Sequence, residues 1–317
     1  MTNHRSRFIN EKKIFDVLRY FHYFKYAPSL DEIHKFLSYQ TTKKALLTDL
    51  NYLIIKSKLT SHNVGHLKLK TKDLQLYTLP GHGIDIRIQL DRTKYTSQVV
   101  EKNRLFLEII SKVPVVKLIG LSGSTAMGQM KKNDDLDLFI ITANNRLWTA
   151  RLVVTLLAIL FGLKRRPGAK KAPGKACMNL FFEISSMEVP EYKQNLYTAH
   201  EVLQMVPLYI HGGAYSKSST IIHESSTSTY ISFLETNKWV YKYFPNAMRM
   251  KSKSIYLSQK QTPGKLKNIA DWIEKIVKTI QLYLISRHRT REMITDGQLW
   301  FFPKDFEEKL KRDKILE

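Results

Sequence analysis

Apolar positions recur with a helical period near both ends of the chain and with a strand-like period in its middle. Ile14, Val17, Leu18 and Phe21 fall on one helical face. Pro28, then Ser29 with Glu32 three residues on, has the form of a capping box opening a second helix through Ile33, Phe36 and Leu37. Thr41 or Thr42 caps a third, on which Leu46, Leu50, Leu53 and Ile54 share a face. Short alternating runs from Lys58 to Leu79 surround Asn63-Val64-Gly65-His66, a hairpin signal. Gly81-His82-Gly83 closes this front module, and Asp91 to Gln98 reads as a linker. A helix follows over Val99 to Ser111, and strands then alternate with helices to about residue 190. Helical spacing returns from Ser218, first in Ile231, Leu234, Trp239 and Tyr243, later in Ile269, Ile273, Ile276, Ile280 and Leu284.

The middle stretch carries the candidate chemistry. Val115 to Leu121 is β-rich and ends in Ser122-Gly123-Ser124; a short helical piece, Thr125 to Met130, precedes a second strand, Leu136 to Ile141. Gly123 lets the backbone approach a ligand closely. Ser124 adds a hydroxyl at a helix N-terminus, where free N–H groups favour phosphate oxygens. Asp135 and Asp137 lie two apart, so a strand projects both carboxylates to one side with Cα atoms ~6.5–7 Å apart. Such a pair repels itself unless a cation neutralises it, and magnesium is the usual ion where substrate phosphates complete the shell. Met178 to Ile184 is an apolar run with one charge, Glu183. A lone glutamate there needs a partner. Beside Asp135 and Asp137 it would complete a three-carboxylate platform for two magnesium ions. Asp134 reads as a solvated turn residue.

Composition bounds these readings. In 317 residues, 43% are hydrophobic and 25% charged, which is ordinary globular usage and excludes wholesale disorder. A net charge of +23, spread evenly along the chain, suggests polyanionic company such as nucleotide, nucleic acid or anionic lipid. Lys43 and Lys44 open the third helix, where a recognition helix would meet DNA; they read equally well as a solvated face. Lys131 and Lys132 stand between the glycine turn and the acids. A basic loop from Lys164 to Lys175, containing Arg165 and Arg166, could gather a triphosphate or a nucleic acid. Arg287 to Arg291 forms a further cationic cluster. His200 reads as a structural histidine in an apolar helix, its neighbour Glu201 is set aside with it, and Trp239, Trp272 and Trp300 read as packing residues. Cys177 reads as a small buried residue; as the one cysteine it excludes a disulfide framework and fits a reducing cytoplasm. The longest apolar run, Leu152 to Leu163, is twelve residues against the ~20 a bilayer needs, so it is expected as a buried helix with no membrane partner.

The ordered set of Gly123-Ser124, ten intervening residues, Asp135-Leu136-Asp137 and a later strand acid resembles the signature of the polymerase-beta-type nucleotidyltransferase superfamily over roughly residues 95–215. Asn195 to Glu201 and the front module look like those of bacterial nucleotidyltransferase-domain proteins. One departure is Met127, where minimal antitoxin-type members often carry an arginine before the second glycine. The resemblance implies an α+β fold. A winged helix-turn-helix-like domain (1–85) would precede a nucleotidyltransferase-type mixed sheet flanked by helices (95–215) and a C-terminal helical region (216–317). It implies magnesium-dependent transfer of a nucleoside monophosphate from a triphosphate, ATP foremost, to a hydroxyl of RNA, protein or a small molecule, with pyrophosphate released. Asp135 and Asp137 would bind the ions. Glu183 would complete the nucleophile-side metal and accept the proton. Gly123 and Ser124 would hold phosphates, with Lys131 and Lys132 near. The alternative is a nucleic-acid-binding regulatory protein whose domain binds nucleotide without turnover. The enzymatic reading depends on Glu183 lying beside the two aspartates.

Overall fold

A computed structural model describes residues 2–65, 74–165, 172–210, 228–247, 264–287, 292–301, 306–313 and 315. Three helices open the chain: α1 (Thr2–Tyr23), α2 (Leu30–Lys35) and α3 (Lys43–Ile55). Both halves of the capping box form, with Glu32 N–H donating to Ser29 Oγ at 3.3 Å and Ser29 N–H to Glu32 Oε2 at 2.8 Å. Thr42 Oγ1 caps α3 by accepting from Ala45 N–H at 3.2 Å. An antiparallel ribbon follows, β1 (Thr60–Val64) with β2 (Leu74–Thr78). Its register pairs Val64 with Leu74, so Asn63 and Val64 belong to the strand and not to the expected turn. His66 lies outside the described residues.

The expected linker is instead the middle of a helix, α4 (Ile86–Lys102), capped by Asp85. Its polar residues misled the sequence reading because they bridge neighbouring parts of the fold. The Gln89 amide is buried between the N–H and C=O of Ala27, at 2.7 and 3.0 Å, and Thr96 Oγ1 accepts from Met130 N–H at 3.1 Å. After α5 (Arg104–Ser111) come β3 (Val116–Leu121), α6 (Gly123–Ala126), β4 (Leu136–Thr142), α7 (Leu147–Leu160) and β5 (Ala176–Glu183). Next are α8 (Leu196–Gln204), β6 (Val206–Ile210), α9 (Ser228–Thr236), α10 (Val240–Tyr243) and α11 (Gly264–Ser286). The last elements are β7 (Met293–Ile294), β8 (Gln298–Trp300) and α12 (Phe306–Arg312). The molecule is therefore α+β.

One mixed sheet has the order β6-β3-β4-β5-β8-β7, parallel only between β4 and β5, which α7 connects. The C-terminal region, expected to be helical, thus also supplies two strands; at two and three residues they are too short to carry a periodic signal. Strand alternation gives the sheet two apolar faces. Ile119, Leu138, Ile140 and Phe181 face one core with Phe106 of α5 and Val154 of α7. Leu118, Phe139, Ile141 and Phe182 face the other, which is continuous with Ile14, Leu18, Ile33 and Leu50 of the front helices. His200 joins the two parts, stacked on Tyr20 at 3.6 Å and on Phe36 at 4.4 Å between ring centroids. Burial holds its imidazole neutral, far below the usual histidine range. Trp239 is buried and Trp300 lies against Phe182, but Trp272 is exposed, contrary to the packing reading. Among the described residues no helix is long and apolar enough to cross a membrane.

Candidate functional site

β3 ends in a bend at Ser122, whose N–H donates to Asp137 C=O at 3.2 Å, and the chain enters α6. Gly123 has φ +52°, and a Cβ there would stand 3.2 Å from Asp137 Oδ2. The left-handed backbone and the carboxylate both demand glycine. Thr125 Oγ1 accepts from Asp137 N–H at 3.2 Å and fixes the start of β4 against the turn. Because β4 and β5 run parallel with Asp137 opposite Cys177, the carboxylate and the thiol share a face. Ligand atoms of Asp135, Asp137 and Cys177 lie within 4.8 Å of one another, a group that can hold a metal ion.

Neighbouring side chains complete the group. Arg165 Nη1 donates to Asp135 Oδ2 at 2.6 Å and lies 3.7 Å from Cys177 Sγ. Asn179 Nδ2 donates to Asp137 Oδ1 at 2.9 Å, while Cys177 Sγ donates to Asn179 Oδ1 at 2.8 Å. Burial raises the Asp137 carboxyl well above the usual range, with the negative charges of Asp135, Glu201 and Asp134 adding to it and Arg165 opposing. Burial, helped by both aspartates, also pushes the Cys177 thiol up. A protonated thiol is a poor partner for a hard cation, so the donors suited to one are the aspartate oxygens.

Glu183 does not join them. It pairs in register with Thr142, six residues along β5 from Cys177, or ~20 Å at strand rise. Alternation turns it with Phe181 toward the α7 layer. There its carboxylate faces the backbone at Asn145, Leu147 and Arg146, which favours its charged form, while burial, the larger effect, raises its pKa. α7 has no side-chain cap of its own and no acid in its first turn, so this lone strand glutamate lies where the open helix N-terminus favours a negative charge. The expected three-carboxylate platform is corrected accordingly, and with it the metal and catalytic roles of Glu183.

The remaining expected residues divide. Ser124 sits in the first turn of α6, and the Gly123 backbone expected for phosphate lies beside the Glu201 carboxylate and favours its charged form. Lys131 and Lys132 are exposed in the loop before β4, where Asp134 accepts from Lys131 N–H at 2.8 Å. Arg165 lies on the aspartates, and Arg166 lies outside the described residues. Lys43 and Lys44 are exposed at the start of α3, with Lys43 Nζ 2.7 Å from Asp31.

Three neighbours escaped the sequence reading. Cys177 and Asn179 sit in an apolar run whose register the sequence does not give. Glu201 was passed over because its helix looked structural; a carboxyl among Val202, Leu203 and His200 was the available signal. Burial raises it to about 7, against the opposing effect of the Gly123 backbone. Compared with known proteins, the chain matches no family model, no curated protein and no solved structure.

Proposed function

We propose that this chain binds a nucleoside triphosphate, ATP foremost, with a divalent cation at Asp135 and Asp137, and that it does so as a nucleotide-binding regulatory protein. The carrying observation is the grouping of Asp135, Asp137 and Cys177 next to the Gly123 turn while Glu183 lies at the far end of β5, beside the start of α7. Two carboxylates suit one magnesium ion whose shell is completed by phosphate oxygens. Bound there, the ion would offset part of the negative charge that the two aspartates and the triphosphate bring together. A two-metal transfer needs a third carboxylate, and the β5 side chain that bonds Asp137 is the neutral amide of Asn179. The helix–helix–helix–ribbon order of the front module supports a winged-helix-like, nucleic-acid-docking reading.

Transfer of a nucleoside monophosphate is the second reading, favoured by Glu201, a carboxyl poised near neutral pH beside the same glycine. Calorimetric titration with magnesium–ATP and an assay of pyrophosphate release separate the two. The expected result is binding by the wild type, at least tenfold weaker binding by Asp137→Asn, unchanged binding by Glu183→Gln, and no pyrophosphate release above that of Asp137→Asn. Binding undiminished in Asp137→Asn would sink both readings. Release that disappears in both Asp137→Asn and Glu201→Gln would establish the second.

A further inference from the structure

The long helix α11 turns Asp271, Glu274 and Gln281 inward, beside Val277, Leu282 and Ile285, which pack on the sheet core. Glu274 accepts from Trp148 N–H at 2.7 Å and Thr149 N–H at 2.9 Å, Gln281 Nε2 donates to Trp148 C=O at 2.8 Å, and Asp271 pairs with Arg146 at 2.7 Å. An apolar stripe faces away: Ile269 is 57% exposed, Trp272 63%, Ile273 42%, Ile276 37%, Ile280 54% and Tyr283 59%. At 100° per residue these six share an arc of about 100°, and Ile276 lies about 160° from Glu274. Single exposed apolar residues are ordinary, whereas a contiguous stripe of this kind marks an interaction surface.

The spacing indicates what covers it. Ile269, Ile273, Ile276, Ile280 and Tyr283 are separated by four, three, four and three residues, the 3.5-residue period of a seam between two helices. The flanking positions, Ala270, Val277 and Leu284 on one side and Trp272 and Thr279 on the other, carry no charge, so nothing there opposes an identical helix. The six side chains leave roughly 600 Å² uncovered, close to the about 800 Å² each partner gives to a standard interface.

We propose that α11 pairs with α11 of a second copy of this chain in a two-fold dimer. A two-fold axis brings the same stripe from both copies together, which the uncharged flanks from Ala270 to Thr279 permit; Arg287, stacked on the Tyr283 ring, puts a cation at its end. With +23 charges on each chain, added salt relieves repulsion between the copies, so the dimer tightens as salt rises. Sedimentation equilibrium of the full chain reads this directly. The expected result is a species of twice 37.0 kDa at micromolar concentration, with Ile276→Asp and Ile280→Glu each raising the dissociation constant at least tenfold at unchanged circular dichroism. Both sites are solvent-facing, and Ile280, the more exposed, serves if Ile276→Asp folds poorly. A wild type that stays monomeric at 50 mM and 500 mM salt overturns the proposal. So does a dimer unaffected by Ile280→Glu. So does a monomer that binds anionic vesicles in a salt-weakened, Ile280-dependent manner, which would assign the stripe to lipid.

Discussion

His22 ends α1 as a buried residue, 4% exposed, beside His82 at 5.0 Å between ring centroids. Burial first, and the neighbouring imidazole second, lower its pKa from 6.5 to about 4. Between those values the unfolded chain takes a proton that the folded chain refuses. Stability is therefore complete above about pH 6.5 and falls as pH drops toward about 4, by no more than about 3 kcal/mol. Urea unfolding at a series of pH values should show this slope, and His22→Phe should flatten it. Glu183 shows the same lesson about environment. An acid in an apolar strand was correctly read as needing a partner, but the partner is the open start of α7 and not a metal. The number of residues between Asp137 and Glu183 does not reveal which end of the neighbouring strand the acid reaches.

Among the elements, α7 decides most. Leu147 to Leu160 begins with neither a capping side chain nor an acid, and two acids distant in sequence supply what it lacks. Glu183 lies beside its first residues, and Glu274 meets the N–H groups of Trp148 and Thr149. Glu274→Ala should cost about 1–2 kcal/mol, the range for loss of a helix cap, read as a lowered urea midpoint with unchanged m. Holding Glu274 inward also fixes the rotation of α11, which is why Ile269, Ile273, Ile276 and Ile280 face solvent while Ile285 packs on the core. The elements legible in the sequence were those with local signals: the capping box before α2, the threonine before α3, and the β-rich runs that became β3, β4 and β5. α4 was missed because Gln89 and Thr96 are polar yet buried, and β7 and β8 because they are too short to show a period.

For the whole molecule, charge and shared packing matter more than boundaries. The front module and the sheet share a core through Tyr20, Phe36 and His200, and Lys35 Nζ donates to Leu203 C=O at 2.6 Å. A nucleic acid docked at α3 would thus rest on a unit joined to α8, the helix that carries Glu201. If the exposed start of α3 contacts phosphates, the Lys43→Ala, Lys44→Ala pair should weaken duplex binding and reduce the salt slope by about 2. Fluorescence anisotropy at several salt concentrations measures both. Affinity and slope unchanged by the pair would leave these lysines as a solvated face.

Sequence alone determined the glycine turn, the two aspartates brought together at the start of a strand, with Asp135 just before β4, and the front helices, because each depends on residues within a few positions of one another. Tertiary structure decided the rest. The register between β4 and β5, irregular between Leu138 and Phe139, placed Cys177 and Asn179 against Asp137 and carried Glu183 to the opposite end. The rotation of α11, set by a cap on another helix, decided which of its faces meets water. Register and rotation are relations between segments far apart in the chain, and local periodicity holds no information about either.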